Sequence, residues 1–172
     1  MASLICGSIA YDTIMNFEGK FADQILPEQI HILNVAFLVP TMRREFGGCA
    51  GNIAYNLNLL GGDPIIMATV GGDAAPYLDR LQQLKIDASH IRQIDNAFTA
   101  QAMITTDQAN NQITAFHPGA MGESHLNQVS AVVAERSKNA KGAAKLGIVA
   151  PDGRQGMWEH CHQLAEANIP FI

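Results

Sequence analysis

Residues 46–73, FGGCAGNIAYNLNLLGGDPIIMATVGGD, hold a glycine-rich loop, a helical pattern, an apolar strand and a second glycine turn in direct succession. Gly47, Gly48 and Gly51 open the helix and Gly61-Gly62 close it. Glycine accepts positive φ and lets a ligand approach bare backbone, while a helix start offers unpaired N–H groups to electronegative atoms. A polar ligand therefore fits at Gly47 to Asn52, with the Asn52 amide directed toward the loop. On spacing alone a plain structural turn competes with this reading. GGCAGN matches neither the dinucleotide fingerprint nor the phosphate loop, which needs a Lys-Ser/Thr pair. Ile53, Leu57 and Leu60 fall at i, i+4 and i+7, which predicts one buried helix face.

Working outward, Ile65 to Val70 is a continuous apolar run, as in a strand covered by helices on both faces. Asp73 is placed to cap the next helix, with Pro76 in its first turn and Tyr77, Leu78, Leu81 and Leu84 facing inward. Before the central unit, Leu4-Ile5-Cys6 reads as a buried strand. It delivers Ser8 to Asp12 to its carboxyl end, where open α/β sheets bind ligands. Taken alone, Asp12 is either a ligand carboxylate or a solvated turn residue, and Ser8 after Gly7 is equally at home in a turn. The repeated strand-helix order predicts the α/β class, a doubly wound and mostly parallel sheet with helices on both faces.

Two regions depart from that rhythm. Ile32 to Val39 has strand composition, and Thr99 to Thr106 with Gln112 to Phe116 forms a predicted hairpin around Asp107 to Asn111. Further on, Leu126, Val129, Val132 and Val133 share one predicted helix, Leu146 to Ala150 is a strand and Met157 to Ala167 a helix. The closing Ile169-Pro170-Phe171-Ile172 reads as the start of another buried strand. The expectation is an N-terminal part of a longer protein.

The 172 residues carry 11 basic and 16 acidic side chains, a net charge of -5. Nucleic-acid binding needs clustered cations, and the loose group Arg136, Lys138, Lys141 and Lys145 reads as a solvated helix end. Cys6, Cys49 and Cys161 show no C-x-x-C spacing and leave an odd thiol, so a reducing, cytoplasmic setting is expected. No apolar run approaches the ~18 residues of a membrane span. The triplet His160-Cys161-His162 invites a metal reading, but residues two apart diverge on a helix and nothing completes a tetrahedral set. His117, in His-Pro-Gly, reads as a turn residue.

GG-x-x-x-N followed by a helix, Gly-Gly, a strand and GGD resembles the first signature of the PfkB or ribokinase-like kinases of sugars and nucleosides. GSIAYDTIM at residues 7–15, TTD at 105–107 and FHPGAM at 116–121 agree in order, and together they look most like the bacterial adenosine kinase branch. The resemblance implies phosphoryl transfer from ATP, with Mg²⁺, to the primary hydroxyl of a nucleoside, adenosine first; a sugar kinase or a non-catalytic binding module is the alternative. It implies substrate contacts from Ser8, Asp12, Gly47, Gly48, Asn52, Phe116 and Met121, with Asp12 on sugar hydroxyls and Phe116 and Met121 toward the purine. It also implies a small β-sheet lid from about 13–46 and 98–118, and leaves open a homodimer through that lid. Ala102 stands where the family branch carries a second aromatic, and Ala36 where it carries a lid serine. The family's base and anion-hole segment, of D-T-x-G-A-G-D type, and its N-x-x-E segment do not occur in residues 1–172. No catalytic residue is therefore assigned, and the chain by itself is expected to be inactive and poorly stable.

Overall fold

The computed structural model describes residues 2–138 and 142–172, so Lys141 of the basic cluster lies outside the described residues. The strands are β1 (Ala2–Cys6), β2 (Ala10–Asn16), β3 (Thr41–Gly47), β4 (Asp63–Gly71), β5 (Ile91–Ile94), β6 (Ala100–Thr106), β7 (Gln112–His117) and β8 (Leu146–Val149). The α-helices are α1 (Cys49–Leu59), α2 (Ala75–Gln83), α3 (Val129–Lys138) and α4 (Arg154–Glu166). Short 3-10 segments cover Phe21–Asp23, Pro27–Ile32 and Gly119–Leu126.

Four strands form a parallel sheet in the order β5-β4-β1-β8. Its central strands are apolar on both sides because both sides are covered. On one face Ile5, Ile66, Ala68 and Val70 pack with Ala50 and Ala54 of α1 and Tyr77 and Leu81 of α2. On the other, Leu4, Cys6, Ile65 and Met67 pack with Val129 and Val132 of α3 and Leu164 of α4. The expected doubly wound α/β fold is present. The run 169–172 extends the pairing beyond β8: Gly147 bridges Phe171 in parallel, and Val149 N–H donates to the Ile172 carbonyl at 2.9 Å.

A second sheet, in the order β3-β2-β6-β7, collects strands from both segments that break the α/β rhythm. The β2/β3 and β6/β7 pairs are antiparallel and β2/β6 is parallel. Residues 32–39, expected as a strand, instead finish a 3-10 turn and run on without regular structure, and the strand falls at Thr41–Gly47. Phe37 is drawn into a ring cluster with Phe17 and Phe21, at 4.9 Å from each. Apolar composition there serves side-chain packing and not strand pairing.

Other expectations are corrected by tertiary contacts. Ile53 and Leu57 pack part-buried against the core as expected, but the fully buried face of α1 is Ala50, Gly51 and Ala54, and Leu60 is 85% exposed. Small residues win that face because α1 lies close to the sheet: a Cβ on Gly7 would come within 3.3 Å of the Ala50 Cβ. Asp73 caps nothing. Its carboxylate accepts the N–H and the hydroxyl of Thr99 at 2.7 Å each, and α2 begins without a side-chain cap. Leu126 belongs to the 3-10 segment before α3, and Val133 is exposed. Arg136 is buried and paired with Asp63 at 2.7 Å, so it is no part of a solvated helix end. His117 ends β7 with its ring against Phe98 and is not a turn residue.

Candidate functional site

The chain order β1, β4, β5, β8 against the spatial order β5-β4-β1-β8 reverses direction between β1 and β8. In open α/β sheets the crevice at such a reversal, outside the carboxyl ends, is where ligands bind. Here those ends deliver Ser8 after β1 and Pro151-Asp152 after β8, joined by a 3.2 Å bond from the Ser8 N–H to the Pro151 carbonyl. A cleft of about 320 Å³ opens there. Ser8, Asp12, Gly48, Asn52, Phe116 and Met121 all line it, together with Ala10, Cys49, Pro151 and Asp152. A larger hollow of about 710 Å³ lies outside α4 around Trp158. It lacks the convergent carboxylates of the cleft, so the chemistry favours the smaller site.

The glycine loop closes the cleft from one side. Gly48 has φ +87°, and a Cβ there would meet the backbone of Ser8, Ile9 and Ala10 at 2.5–2.7 Å, so only glycine fits. The helix start is less open than its sequence suggests. Cys49 N–H donates to Ser8 Oγ at 3.0 Å and Ala50 N–H to the Ser8 carbonyl at 3.0 Å. Ser8 thus ties β1 to α1 and keeps its hydroxyl proton for a ligand. Gly47 does not line the cleft. It makes room for Asp12, whose carboxylate a Cβ at position 47 would strike. Behind it, Tyr77 donates to the Gly47 carbonyl at 2.7 Å from the core side, with its ring 5.1 Å from Phe46. Burial pushes the Tyr77 hydroxyl up to about 12, so it stays a donor.

Asp12 sits within β2, not at the end of β1, and its register decides its neighbours. Glu45, Asp12, Ala102 and Phe116 lie opposite one another in turn across β3, β2, β6 and β7, on one face of the sheet. Ala102 therefore separates the carboxylate from the ring and leaves the space between them open. At ~4.8 Å per strand, Asp12 and Phe116 stand about 10 Å apart. Phe116 is 53% exposed, which rules out the plain-core alternative. Burial pushes the Asp12 carboxyl up. Ala36 lies exposed in the irregular segment and is not among the cleft residues.

Asp152 escaped the sequence reading. It is buried, neither carboxylate oxygen has a partner at full hydrogen-bond geometry, and burial, offset in part by the Gly153 N–H and the Ser124 hydroxyl, pushes it up to about 7. Its only advance signal was position: the first acidic residue after the Leu146 to Val149 strand, whose place beside β1 no local pattern reveals. Of the His160-Cys161-His162 triplet, His160 is wholly buried with Nε2 3.3 Å from the Asn127 carbonyl. Among the described residues, no group of three or more His, Cys, Asp or Glu is arranged to hold a metal ion, and no helix is long and apolar enough to cross a membrane.

A parallel sheet wound on both faces, with a second sheet contributing half of a carboxylate-lined cleft at its carboxyl edge, defines the ribokinase-like fold. The chain belongs to the pfkB family of carbohydrate kinases, whose model matches residues 12–171. It is 35% identical over 123 residues to a nucleoside kinase of Methanocaldococcus jannaschii, a match covering 70% of this chain and 37% of that protein. A solved nucleoside kinase of Burkholderia thailandensis in complex with inosine superposes with TM-score 0.78 at 56% identity, covering 98% of this chain and 51% of that one. The same enzyme in complex with ADP-inosine gives TM-score 0.71 at 59% identity, over 98% of this chain and 50% of that one. The chain spans about half the length of these solved relatives.

Proposed function

We propose that the whole protein is a kinase using ATP and Mg²⁺ to phosphorylate the 5′-hydroxyl of a nucleoside, adenosine or a close purine nucleoside, and that this chain is its nucleoside-binding part. The observation that carries the reading is the cross-strand row in which Asp12 and Phe116 flank Ala102 on the cleft face. A carboxylate suited to two ribose hydroxyls and a ring suited to a base stand about 10 Å apart in one groove. That separation suits the two ends of a nucleoside.

In this reading Asp12 accepts from the ribose hydroxyls, the Asn52 amide and Ser8 hydroxyl add donors, and Phe116 stacks on the base with Met121 beside it. Charge-assisted bonds to Asp12 would carry most of the sugar affinity. ATP, when bound, supplies the phosphoryl group. Among the described residues no Lys or Arg lines the cleft to cradle a triphosphate, so the residues present orient the acceptor and no step is assigned to them beyond that. The nucleoside kinase relatives, one holding inosine, support a nucleoside over a free sugar.

The test is calorimetric titration of this chain with adenosine, inosine, ribose and fructose, alongside phosphoryl-transfer assays of the whole protein with the same panel. Purine nucleosides should bind and be phosphorylated in preference. A sugar reading draws on Ala102, which leaves the base held from one side, and preference for ribose or fructose would establish it instead.

A further inference from the structure

Below the cleft, where the Gly119–Leu126 segment meets α4, buried polar atoms gather without partners: both oxygens of Asp152, Ser124 Oγ, His160 Nδ1 and His125 Nδ1. Ser124 has no solvent exposure at all. Its hydroxyl is pressed between the backbones of Gly153 and Gly156, where a Cβ on either glycine would collide with it. Two glycines thus hold this hydroxyl beside Asp152. The Ser124 hydroxyl and the Gly153 N–H both favour the Asp152 anion and offset part of the cost of its burial, although neither reaches it at full hydrogen-bond geometry. A buried hydroxyl and a buried carboxyl left unsatisfied cost free energy in the empty site.

We propose that Ser124 is a positioning residue for Asp152: its hydroxyl already favours the carboxylate in the empty cleft and closes a full hydrogen bond to one oxygen when a ligand hydroxyl takes the other, so that ligand binding expels a proton from Asp152 to solvent. In the empty cleft the carboxyl shares its site with its proton. A ligand donor and the Ser124 O–H together replace that proton, because an anion accepting two hydrogen bonds is stabilised where an unpartnered one is not. The other ionisable groups do not take over this role. Cys6, at the end of β1, is pushed up to about 12 by burial and then by Asp152 and Cys161. His160 on α4 is held down by burial. His125 Nε2 lies 3.9 Å from Glu123, and Asp12 stands on the second sheet across the cleft.

The ligand half of the proposal rests on the nucleoside reading, so the test has two independent readouts. With aspartate carboxyl carbons labelled, the Asp152 resonance, assigned through Asp152→Asn, is titrated from pH 5 to 9 without ligand. Ser124→Ala should move its midpoint up by about one pH unit, the worth of one hydrogen bond to a charged group. Inosine affinity should rise about tenfold between pH 6 and pH 8 as the anion becomes populated. In Ser124→Ala that rise should shift to higher pH, and in Asp152→Asn it should vanish. Ser124→Cys, alike in shape though somewhat larger and a weaker donor, must shift the midpoint in the same direction, and it serves as the readout if the alanine variant does not melt cooperatively. An unchanged Asp152 midpoint in both variants overturns the pairing. Absence of inosine binding at every pH counts against the nucleoside reading, while the carboxyl titration still decides the pairing.

Discussion

Asp73 Oδ1 accepts two hydrogen bonds from Thr99, from its N–H and from its hydroxyl, each 2.7 Å long. The same Thr99 Oγ1 accepts the Gly71 N–H at 3.0 Å. One wholly buried threonine therefore fastens the end of the parallel sheet to the entry of β6, the strand that carries Ala102 opposite Asp12. The orientation of the second sheet over the cleft depends on this joint.

Thr99→Val removes the hydroxyl, leaves the Gly71 N–H unpaired in the interior and should cost about 2 kcal/mol. Thermal melts at neutral pH read the loss. Burial alone would push Asp73 up, but the Thr99 N–H and hydroxyl, its own N–H and Arg44 hold it below its ordinary value. A depressed folded value means the carboxylate stabilises the fold above its unfolded pKa of ~3.9 and loses that contribution as pH falls through the folded value. The melting temperature should therefore decline steeply below about pH 4. Asp73→Asn should flatten part of that decline, and an identical acid limb in both proteins would count against the joint.

Asp12→Asn should weaken nucleoside binding about 10- to 100-fold, as expected for lost hydrogen bonds to a charged acceptor. Stability should not fall with it. Burial disfavours the Asp12 anion, so the neutral amide relieves a cost at pH 7 and the melting point should stay level or rise. Calorimetry and melts on the same sample separate the two effects, and unchanged affinity would remove Asp12 from the site.

Phe116→Ala should leave the melt near wild type, since the ring is more exposed than buried. If the ring stacks on a base, nucleoside affinity should drop by about 1–3 kcal/mol while affinity for free ribose holds. Equal losses for both ligands would place the ring elsewhere than against the base.

Gly51→Ala is a helix substitution that would ordinarily stabilise by roughly 0.5–1 kcal/mol. Here the new methyl would strike the Tyr77 hydroxyl, which is buried and bonded to the Gly47 carbonyl. Overpacking of that kind should destabilise by about 1–3 kcal/mol instead, and the displaced loop should weaken nucleoside binding. A raised melting point would show that Tyr77 gives way freely.

The elements legible in the sequence were those written in local pattern. The glycine loop, α1, the apolar β4, the α2 face and the hairpin from β6 to β7 each follow from periodicity and turn residues a few positions apart. The pfkB membership was legible too, because its motifs are contiguous. β3 was not legible: TMRREFG is polar and exposed along most of its length, as suits an edge strand whose pairing with β2 on one side makes it a strand. Residues 32–39 had the better composition and no neighbour to pair with.

Other features rest on partners far apart in the chain. Asp73 stands one residue before the α2 N-cap, Ala74, yet finds Thr99 across the joint between two sheets. Asp12 and Phe116 meet through the register of three strands, and Ala102 acquires its meaning as the gap between them. Asp152 reaches the cleft because β8 is laid beside β1, 140 residues and more after it in the chain. Local sequence sets which backbone shape each segment prefers; long-range packing and register set which side chains share a site, since that depends on which distant surfaces are buried together.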